Sequence, residues 1–210
     1  MKAFDAFGDR YFLEKFKELV VDYSIETVVE TGTWLGDFII TASRFVKHAI
    51  SIEIQRQFFE GTKARFISEG YSQVPVPKYI AGGEATSYVK EKSTITLICG
   101  NSPDVIRRII EELPEPILFY LDAHWLAYWP IKDEIRAIKP RPNSIIIIDD
   151  FKVPGKGWHY DSYKGVDLDY ELVKDDLAFV NPNYITFYNE EGPRAGILYV
   201  VPPKDVQHGI

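Results

Sequence analysis

Acidic side chains follow two apolar segments of the sequence. Asp122 comes directly after residues 116–121, and Asp149 and Asp150 come directly after residues 144–148. Three carboxylates that converge repel one another unless they are protonated or bridged by a cation. Hard oxygen ligands favour Mg²⁺, Ca²⁺ or Mn²⁺ over Zn²⁺. The pattern therefore predicts a divalent-cation site, with a helix-capping aspartate beside a solvated one as the alternative.

A histidine stands two residues beyond the first of these acids, so the imidazole of His124 can reach the same space as Asp122. Imidazole changes its charge near neutral pH, which suits it to act as a general base. It is also a common metal ligand. His124 could therefore be a general base, a metal ligand or an ordinary loop residue, and the sequence leaves these three roles open.

A second constellation lies near the N-terminus, in residues 28–36, which read as a buried strand, an acid, a glycine turn and a helix. Glu30 ends the strand, Gly32 and Gly36 follow it, and a helix is predicted from Asp37. A helix N-terminus offers unpaired N–H groups and a partial positive charge, while the carboxylate accepts hydrogen bonds from an amine or a hydroxyl. This combination suits a zwitterionic or nucleoside ligand.

Two further strand ends carry polar residues. Glu53 lies at the end of the next strand and is placed where an acid can bind a ribose diol. Asn101 and Ser102 follow a third strand and could hydrogen-bond the edge of an adenine. A solvated strand-end acid and a helix cap before Pro103 are the alternatives.

These residues are positioned by alternating strands and helices, which predict an α/β fold. The expected architecture is a single Rossmann-like, doubly wound, seven-stranded sheet, mostly parallel, with a C-terminal antiparallel hairpin. The predicted strands are residues 26–31, 49–54, 94–99, 116–121, 144–148, 184–188 and 197–201, and the predicted helices are 9–21, 37–46, 55–67, 84–91, 103–113, 130–138 and 171–179. Residues 1–210 are expected to form one domain, with a helical cover over 1–24 and an aromatic loop over 151–170.

Composition limits the partners and the compartment. The net charge of −7 argues against nucleic acid or an anionic membrane as a partner. Cys99 is the one cysteine, which excludes an internal disulfide and fits a reducing compartment. No apolar run reaches the length of a signal core or a membrane span. We expect a soluble cytoplasmic protein, and a homo-oligomer remains open.

The stretch Glu-Thr-Gly-Thr-Trp-Leu-Gly, residues 30–36, resembles the acid-x-Gly-x-x-x-Gly motif of class I S-adenosylmethionine-dependent methyltransferases. The strand pattern is similar to theirs over nearly the whole chain. The motif departs from the commoner Gly-x-Gly form, because Thr33 and Trp34 stand where a second glycine often lies. The resemblance implies S-adenosylmethionine as the cofactor. The implied cofactor-binding residues are Glu30, Thr31, Gly32 and Gly36 in this loop, Glu53 at the ribose, and Asn101 and Ser102 at the adenine.

The second set of acids further resembles the metal-dependent O-methyltransferases, including the macrocin and novobiocin sugar type. That resemblance implies that Asp122, Asp149 and Asp150 hold Mg²⁺. It places His124 at the position of the general base, where the sugar-type enzymes often have aspartate. The implied reaction is metal-assisted O-methylation of a hydroxyl on a small molecule or a sugar.

Other functions fit parts of the same sequence. Asp122-Ala123-His124 can be read as the acid-x-His motif of a metal-dependent glycosyltransferase that uses a nucleotide sugar. A catalytically silent ligand-binding module is also open, whereas a nicotinamide dehydrogenase lacks its expected glycine spacing. In the aromatic loop, Trp158, Tyr160 and Tyr163 are expected to form a lid over the acceptor, with an interface or a packed cover as the alternative.

Overall fold

The computed structural model describes residues 9–80, 83–124, 129–192 and 195–204, so residues 1–8 of the expected helical cover lie outside it. The helices of the described residues are α1 (Arg10–Asp22), α2 (Asp37–Ala42), α3 (Arg56–Ser68), α4 (Ser102–Ile109), α5 (Ile131–Ile138) and α6 (Tyr170–Val180). The strands are β1 (Thr27–Thr31), β2 (His48–Glu53), β3 (Ser72–Val74), β4 (Glu84–Lys90), β5 (Ser93–Cys99), β6 (Ile117–Leu121), β7 (Ile145–Ile148), β8 (Ser162–Tyr163), β9 (Val166–Asp167), β10 (Ile185–Tyr188) and β11 (Leu198–Val201).

Nine of these strands form one sheet in the order β10-β11-β7-β6-β1-β2-β5-β4-β3. The five central strands, from β7 to β5, are parallel to one another. The hairpin of β10 and β11 joins them antiparallel, through β11 and β7. The prediction of a Rossmann-like sheet with a closing antiparallel hairpin is confirmed. Because the central strands are parallel, their carboxyl ends share one edge of the sheet.

The predicted count of seven strands is wrong, because β3 and β4 extend the sheet antiparallel beyond β5. The short helix predicted over residues 84–91 is the strand β4, in which Tyr88 is buried. A tight turn joins β4 to β5, with Glu91 in the left-handed region at φ 56°. Such turns usually carry glycine, asparagine or aspartate, none of which stands at positions 91 and 92. The residues of this turn therefore do not predict a hairpin.

The core lies on both faces of the sheet. The four isoleucines of β7 are fully buried and alternate between two apolar clusters, as expected of a central strand. On one face, α1 packs Phe12 and Phe16 against the sheet. The ring of Tyr120, on β6, stacks on Phe38 with centroids 4.0 Å apart. Phe38 belongs to α2, and Phe12 of α1 packs edge-on against the same Tyr120 ring with centroids 5.7 Å apart, so both helices are held at the end of β6.

In the described part of the chain, none of the helices combines the length and the apolar character that crossing a bilayer would require.

Candidate active site

A cavity of about 820 Å³ opens at the carboxyl edge of the parallel strands. The loops that follow all five strands reach it, each contributing at least one polar or glycine residue. Among its lining residues are Gly32, Glu53, Asn101, Asp122 and Asp149. The volume is that of a small-molecule site. The structure thus brings together the strand ends that the sequence singled out.

Gly32 occupies a position that only glycine fits. Its φ is 82°, and a Cβ placed on it would lie 2.6 Å from the backbone carbonyl oxygen of Asp122. Its N–H donates to the carbonyl of Ile52 at 2.9 Å. The loop after β1 is therefore held directly against the loop after β6, with no side chain between them.

Three of the expected cofactor residues, Glu30, Thr31 and Gly36, are absent from the described wall of the cavity, and the first two are buried beneath it. Glu30 is 2% exposed and accepts a hydrogen bond from the hydroxyl of Ser51. Burial raises the pKa of Glu30 well above its ordinary value. Thr31 is also buried, and its hydroxyl oxygen accepts from the N–H of Asp122 at 3.3 Å. Both residues shape the loops from below, and direct cofactor contact by either stays a prediction.

The other end of the glycine loop is shaped by Gly36 and Trp34. Gly36 has φ 80°, and a Cβ there would lie 2.8 Å from Cγ2 of Thr62, so α3 packs tightly against this turn. Trp34 lines the cavity, is 56% exposed and adopts φ 44°, which is rare for a bulky residue. Its N–H donates to Oε2 of Glu53 at 3.0 Å. The loop is thereby tied to the end of β2.

Glu53 lies on the cavity wall, where the sequence placed an acid for a ribose. Its Oε1 accepts from the N–H of Gln55 at 2.7 Å, and its Oε2 accepts from Trp34. Burial raises its pKa, and these backbone hydrogen bonds offset part of the rise. The carboxylate is fixed in orientation, with one edge toward the cavity.

Asn101 and Ser102 also line the cavity, at the start of α4. Asn101 does not cap the helix with its side chain, and its amide donates to Oδ2 of Asp104 at 2.8 Å. The hydroxyl of Ser102 donates to Glu134, on α5. Glu134 is fully buried, and burial raises its pKa to about 7. No feature of the sequence pointed to Glu134, since an acid in the first turn of a helix is ordinary.

The three aspartates predicted to bind a cation converge on the opposite wall. Burial, followed by the charges of Asp149 and Asp150, raises the pKa of Asp122 well above its ordinary value. Burial and then Asp149 raise the pKa of Asp150 to about 6. The Asp149 carboxylate differs from the other two, because it accepts hydrogen bonds from the hydroxyl of Tyr120 and from the N–H of Asp150.

His124 stands over these acids and is 57% exposed. Its Nδ1 lies 3.3 Å from Oδ2 of Asp161 and 3.9 Å from Oδ1 of Asp122. The position of His124 agrees with the prediction that it reaches the carboxylates. Asp161 was not predicted, because it lies in an irregular loop beyond β7 with no strand end to mark it.

Comparison with known proteins concerns the fold. No protein-family model matches the sequence, and no curated protein matches it. Among solved structures, the Bacillus cereus O-methyltransferase in complex with S-adenosylhomocysteine is 14% identical, with 90% of this chain and 79% of that one covered at a TM-score of 0.59. The O-methyltransferase TomG of Streptomyces achromogenes, in complex with S-adenosylmethionine, is 15% identical over 90% and 79% of the chains, at a TM-score of 0.53.

A Staphylococcus aureus protein assigned as a caffeoyl-CoA O-methyltransferase is 16% identical over 93% of this chain and 84% of that one, with a TM-score of 0.57. The chain has the fold of the class I S-adenosylmethionine-dependent methyltransferases. At these identities the likeness is one of fold, so the reaction must be argued from the site.

Within this methyltransferase fold, the side chains that can share a cation differ from the predicted set. The potential ligand atoms of Asp122, His124 and Asp150 lie within 4.8 Å of one another. A second group of the same kind consists of Asp150, His159 and Asp161. Among the described residues, Asp149 belongs to neither group, since its oxygens face Tyr120 and the backbone. A ligand role for Asp149 stays a prediction.

The aromatic loop, residues 151–170, reaches the cavity through His159, whereas the three predicted lid residues lie elsewhere in the described structure. Trp158 lies under the ammonium of Lys156, and Tyr160 under that of Lys152. Tyr163 packs 6.3 Å from Trp129, centroid to centroid. In this conformation Trp158 and Tyr160 contact lysines of the loop itself and Tyr163 contacts Trp129 outside it, and a lid role stays a prediction.

Proposed function

We propose that the chain is an S-adenosylmethionine-dependent methyltransferase that methylates a hydroxyl of a small molecule or a sugar, with assistance from a divalent cation. One observation carries this proposal: a single cavity joins the glycine loop and Glu53 at one side to Asp122 and Asp150 at the other. A methyl donor held by the first group and an acceptor held by the second would meet inside it. Holding two reactants in this way lowers the barrier, by up to ~7–11 kcal/mol in favourable cases.

The cofactor side of the cavity fits a nucleoside. Gly32 lines this side of the cavity without a side chain, so a ligand can approach its backbone closely. Glu53 places a carboxylate on the same wall, held by the N–H groups of Trp34 and Gln55, and a carboxylate at a strand end can accept hydrogen bonds from a ribose diol. When bound, S-adenosylmethionine supplies an electrophilic methyl group. The chain's part is to hold the nucleoside so that this methyl faces the carboxylates.

The acceptor side fits a cation. Burial and the charges of neighbouring carboxylates raise the pKa values of Asp122 and Asp150, so a positive ion between them would relieve an unfavourable concentration of negative charge. Their carboxylate oxygens are metal ligands of the kind that Mg²⁺ prefers. The His124 imidazole is a further ligand that Mn²⁺ accepts. A divalent cation there would lower the pKa of a hydroxyl bound beside it.

His124 is the proposed general base. Its Nδ1 faces Asp161 at 3.3 Å, so a proton on Nδ1 would be held by that carboxylate and Nε2 would be free to accept the acceptor's hydroxyl proton. More than half of the His124 side chain is exposed, which lets the proton pass to solvent. A ligand role, through its place beside Asp122 and Asp150, is the alternative that mutation can separate.

Calorimetric titration tests the proposal directly. The chain is titrated separately with S-adenosylmethionine, S-adenosylhomocysteine, NAD and a UDP-sugar. Saturable heat is expected with the first two ligands alone. Binding of neither would overturn the methyltransferase proposal, and binding of the UDP-sugar instead would support the glycosyltransferase.

A further inference from the structure

The aromatic loop places two potential metal ligands, the side chains of His159 and Asp161, beside Asp150. The proposed reaction does not use these two side chains together. The ligand atoms of Asp150, His159 and Asp161 lie within 4.8 Å of one another. This group shares only Asp150 with the group of Asp122 and His124. Its two other members come from a different segment of the chain, beyond β7.

Backbone hydrogen bonds place these donors with no need of an ion. The N–H of Asp161 donates to the carbonyl of Asp150 at 2.8 Å, and the N–H of Gly196 donates to the carbonyl of His159 at 3.1 Å. His159 also forms a β-bridge with Ala195, just before β11. The loop is thus fastened both to the end of β7 and to the strand beside it, and the three side chains are brought together before any ligand binds.

The carboxylates around this group outnumber their basic partners. Four carboxylates, those of Asp122, Asp149, Asp150 and Asp161, meet at this edge of the sheet. Within the described structure, the imidazole of His124 lies within 4.0 Å of the carboxylates of Asp122 and Asp161. No lysine or arginine of the described residues forms an ion pair with any of the four carboxylates. One divalent ion would leave much of this negative charge uncompensated.

We infer that the loop binds a second divalent cation through Asp150, His159 and Asp161, with the Asp150 carboxylate shared between two cation positions. Two carboxylates and an imidazole favour a transition-metal ion such as Mn²⁺ or Co²⁺ over Mg²⁺ or Ca²⁺. Carboxylates shared between two cations are a feature of sites that clamp both oxygens of a reacting group. The second cation would also hold His159 at the cavity.

Metal counting tests this site, with no cofactor present. The chain is stripped with EDTA, dialysed to equilibrium against Co²⁺ and analysed for metal content and visible absorption. Two equivalents per chain are expected for the wild type and one for His159→Ala, with His159→Gln as a second variant if the first misfolds. His48→Ala removes an exposed histidine at the start of β2, far from this edge along the strand, and should keep two equivalents.

The complementary variant separates the two positions. Asp122→Asn should lose the first cation and retain the one held by the loop. If the wild type binds one equivalent of Co²⁺ and His159→Ala binds the same amount, the proposal of a second site is overturned. The absence of any bound Co²⁺ in the wild type would also overturn it. Either result would leave the methyltransferase proposal to the separate calorimetry with S-adenosylmethionine, so the two failures are distinguishable.

Discussion

The backbone carbonyl of Asp122 occupies the space beside Gly32 that a side chain would need, with only 2.6 Å between that oxygen and an added Cβ. The glycine belongs to the loop on the cofactor side, and the aspartate to the side where the chemistry is proposed. Their contact sets the separation between the two halves of the cavity. A change at Gly32 should therefore disturb both halves.

Gly32→Ala tests this contact. A Cβ residue at φ 82° is strained by about 1–2 kcal/mol, and the clash with the Asp122 carbonyl adds to this. We expect the free energy of unfolding to fall by about 2 kcal/mol or more and cofactor binding to be lost. The matched control is Gly61→Ala in α3, where an added Cβ meets nothing within 4 Å and should stabilise by about 0.5–1 kcal/mol. Equal effects of the two changes in urea unfolding would contradict the argument.

Glu53→Gln tests the ribose contact. The amide keeps the size of the side chain but removes its charge, and hydrogen bonds to charged groups contribute about 1.5–3 kcal/mol. We expect the Kd for S-adenosylhomocysteine, measured by calorimetry, to rise about tenfold or more. Glu60→Gln, an exposed acid on α3 that pairs with Lys63 at 2.9 Å, serves as the control and should leave the Kd unchanged. A Kd that is insensitive to Glu53→Gln would rule out the ribose role.

Much of the site could be predicted from the sequence because of the topology. The carboxyl ends of parallel strands meet at one edge, so an acid directly after β2, β6 or β7 must lie near the others. This reasoning located Glu53, Asp122 and Asp150 on one cavity. It also located the paired edge of β10 and β11, since so short a connection forces an antiparallel hairpin.

The parts that were missed depend on contacts that no spacing encodes. His159 reaches the cavity, and Asp161 reaches Asp150 and His124, because backbone hydrogen bonds fold an irregular loop back onto Asp150 and Gly196. Tyr120 reads as one more apolar residue of β6, yet its hydroxyl donates to Asp149 and withdraws that carboxylate from the cation groups. Glu134 reads as a solvated acid and is fully buried.

Asp149 and Asp150 are adjacent in sequence but differ in their surroundings, which predicts different effects on cation binding. Asp150→Asn should weaken Mn²⁺ binding, followed by electron paramagnetic resonance, by tenfold or more by an order-of-magnitude estimate. Asp149→Asn should weaken it less, because Tyr120 and a backbone N–H already occupy its oxygens. Cofactor affinity should be unchanged in both variants. A larger loss in Asp149→Asn would instead support the ligand set implied by the family resemblance.

His124→Ala separates the two roles of the histidine. As general base, His124 contributes to the rate alone, and its loss should lower kcat by about 10²-fold or more while the affinities for the cofactor and the cation stay unchanged. Turnover and Mn²⁺ binding are measured on the same preparation. A fall in cation affinity that parallels the fall in rate would assign His124 as a ligand.

Glu134 should make the stability of the chain depend on pH. Its folded pKa of about 7 lies above the ordinary value of 4.5, so between these values the folded state binds the proton that the unfolded state has released. The stabilising contribution of the protonated form is complete below pH 4.5 and is lost as the pH rises through 7, by about 3 kcal/mol in all. Other acids of the site share this direction, so Glu134→Gln is compared with the wild type at each pH.

Urea unfolding at pH 5 and pH 8 makes that comparison. The wild type should lose more stability between the two values than Glu134→Gln, in which residue 134 cannot ionise and its side-chain oxygen can still accept from Ser102. Glu171→Gln, in the first turn of α6 and 75% exposed, should retain the wild-type dependence. If Glu134→Gln and the wild type lose the same amount, Glu134 does not titrate in this range.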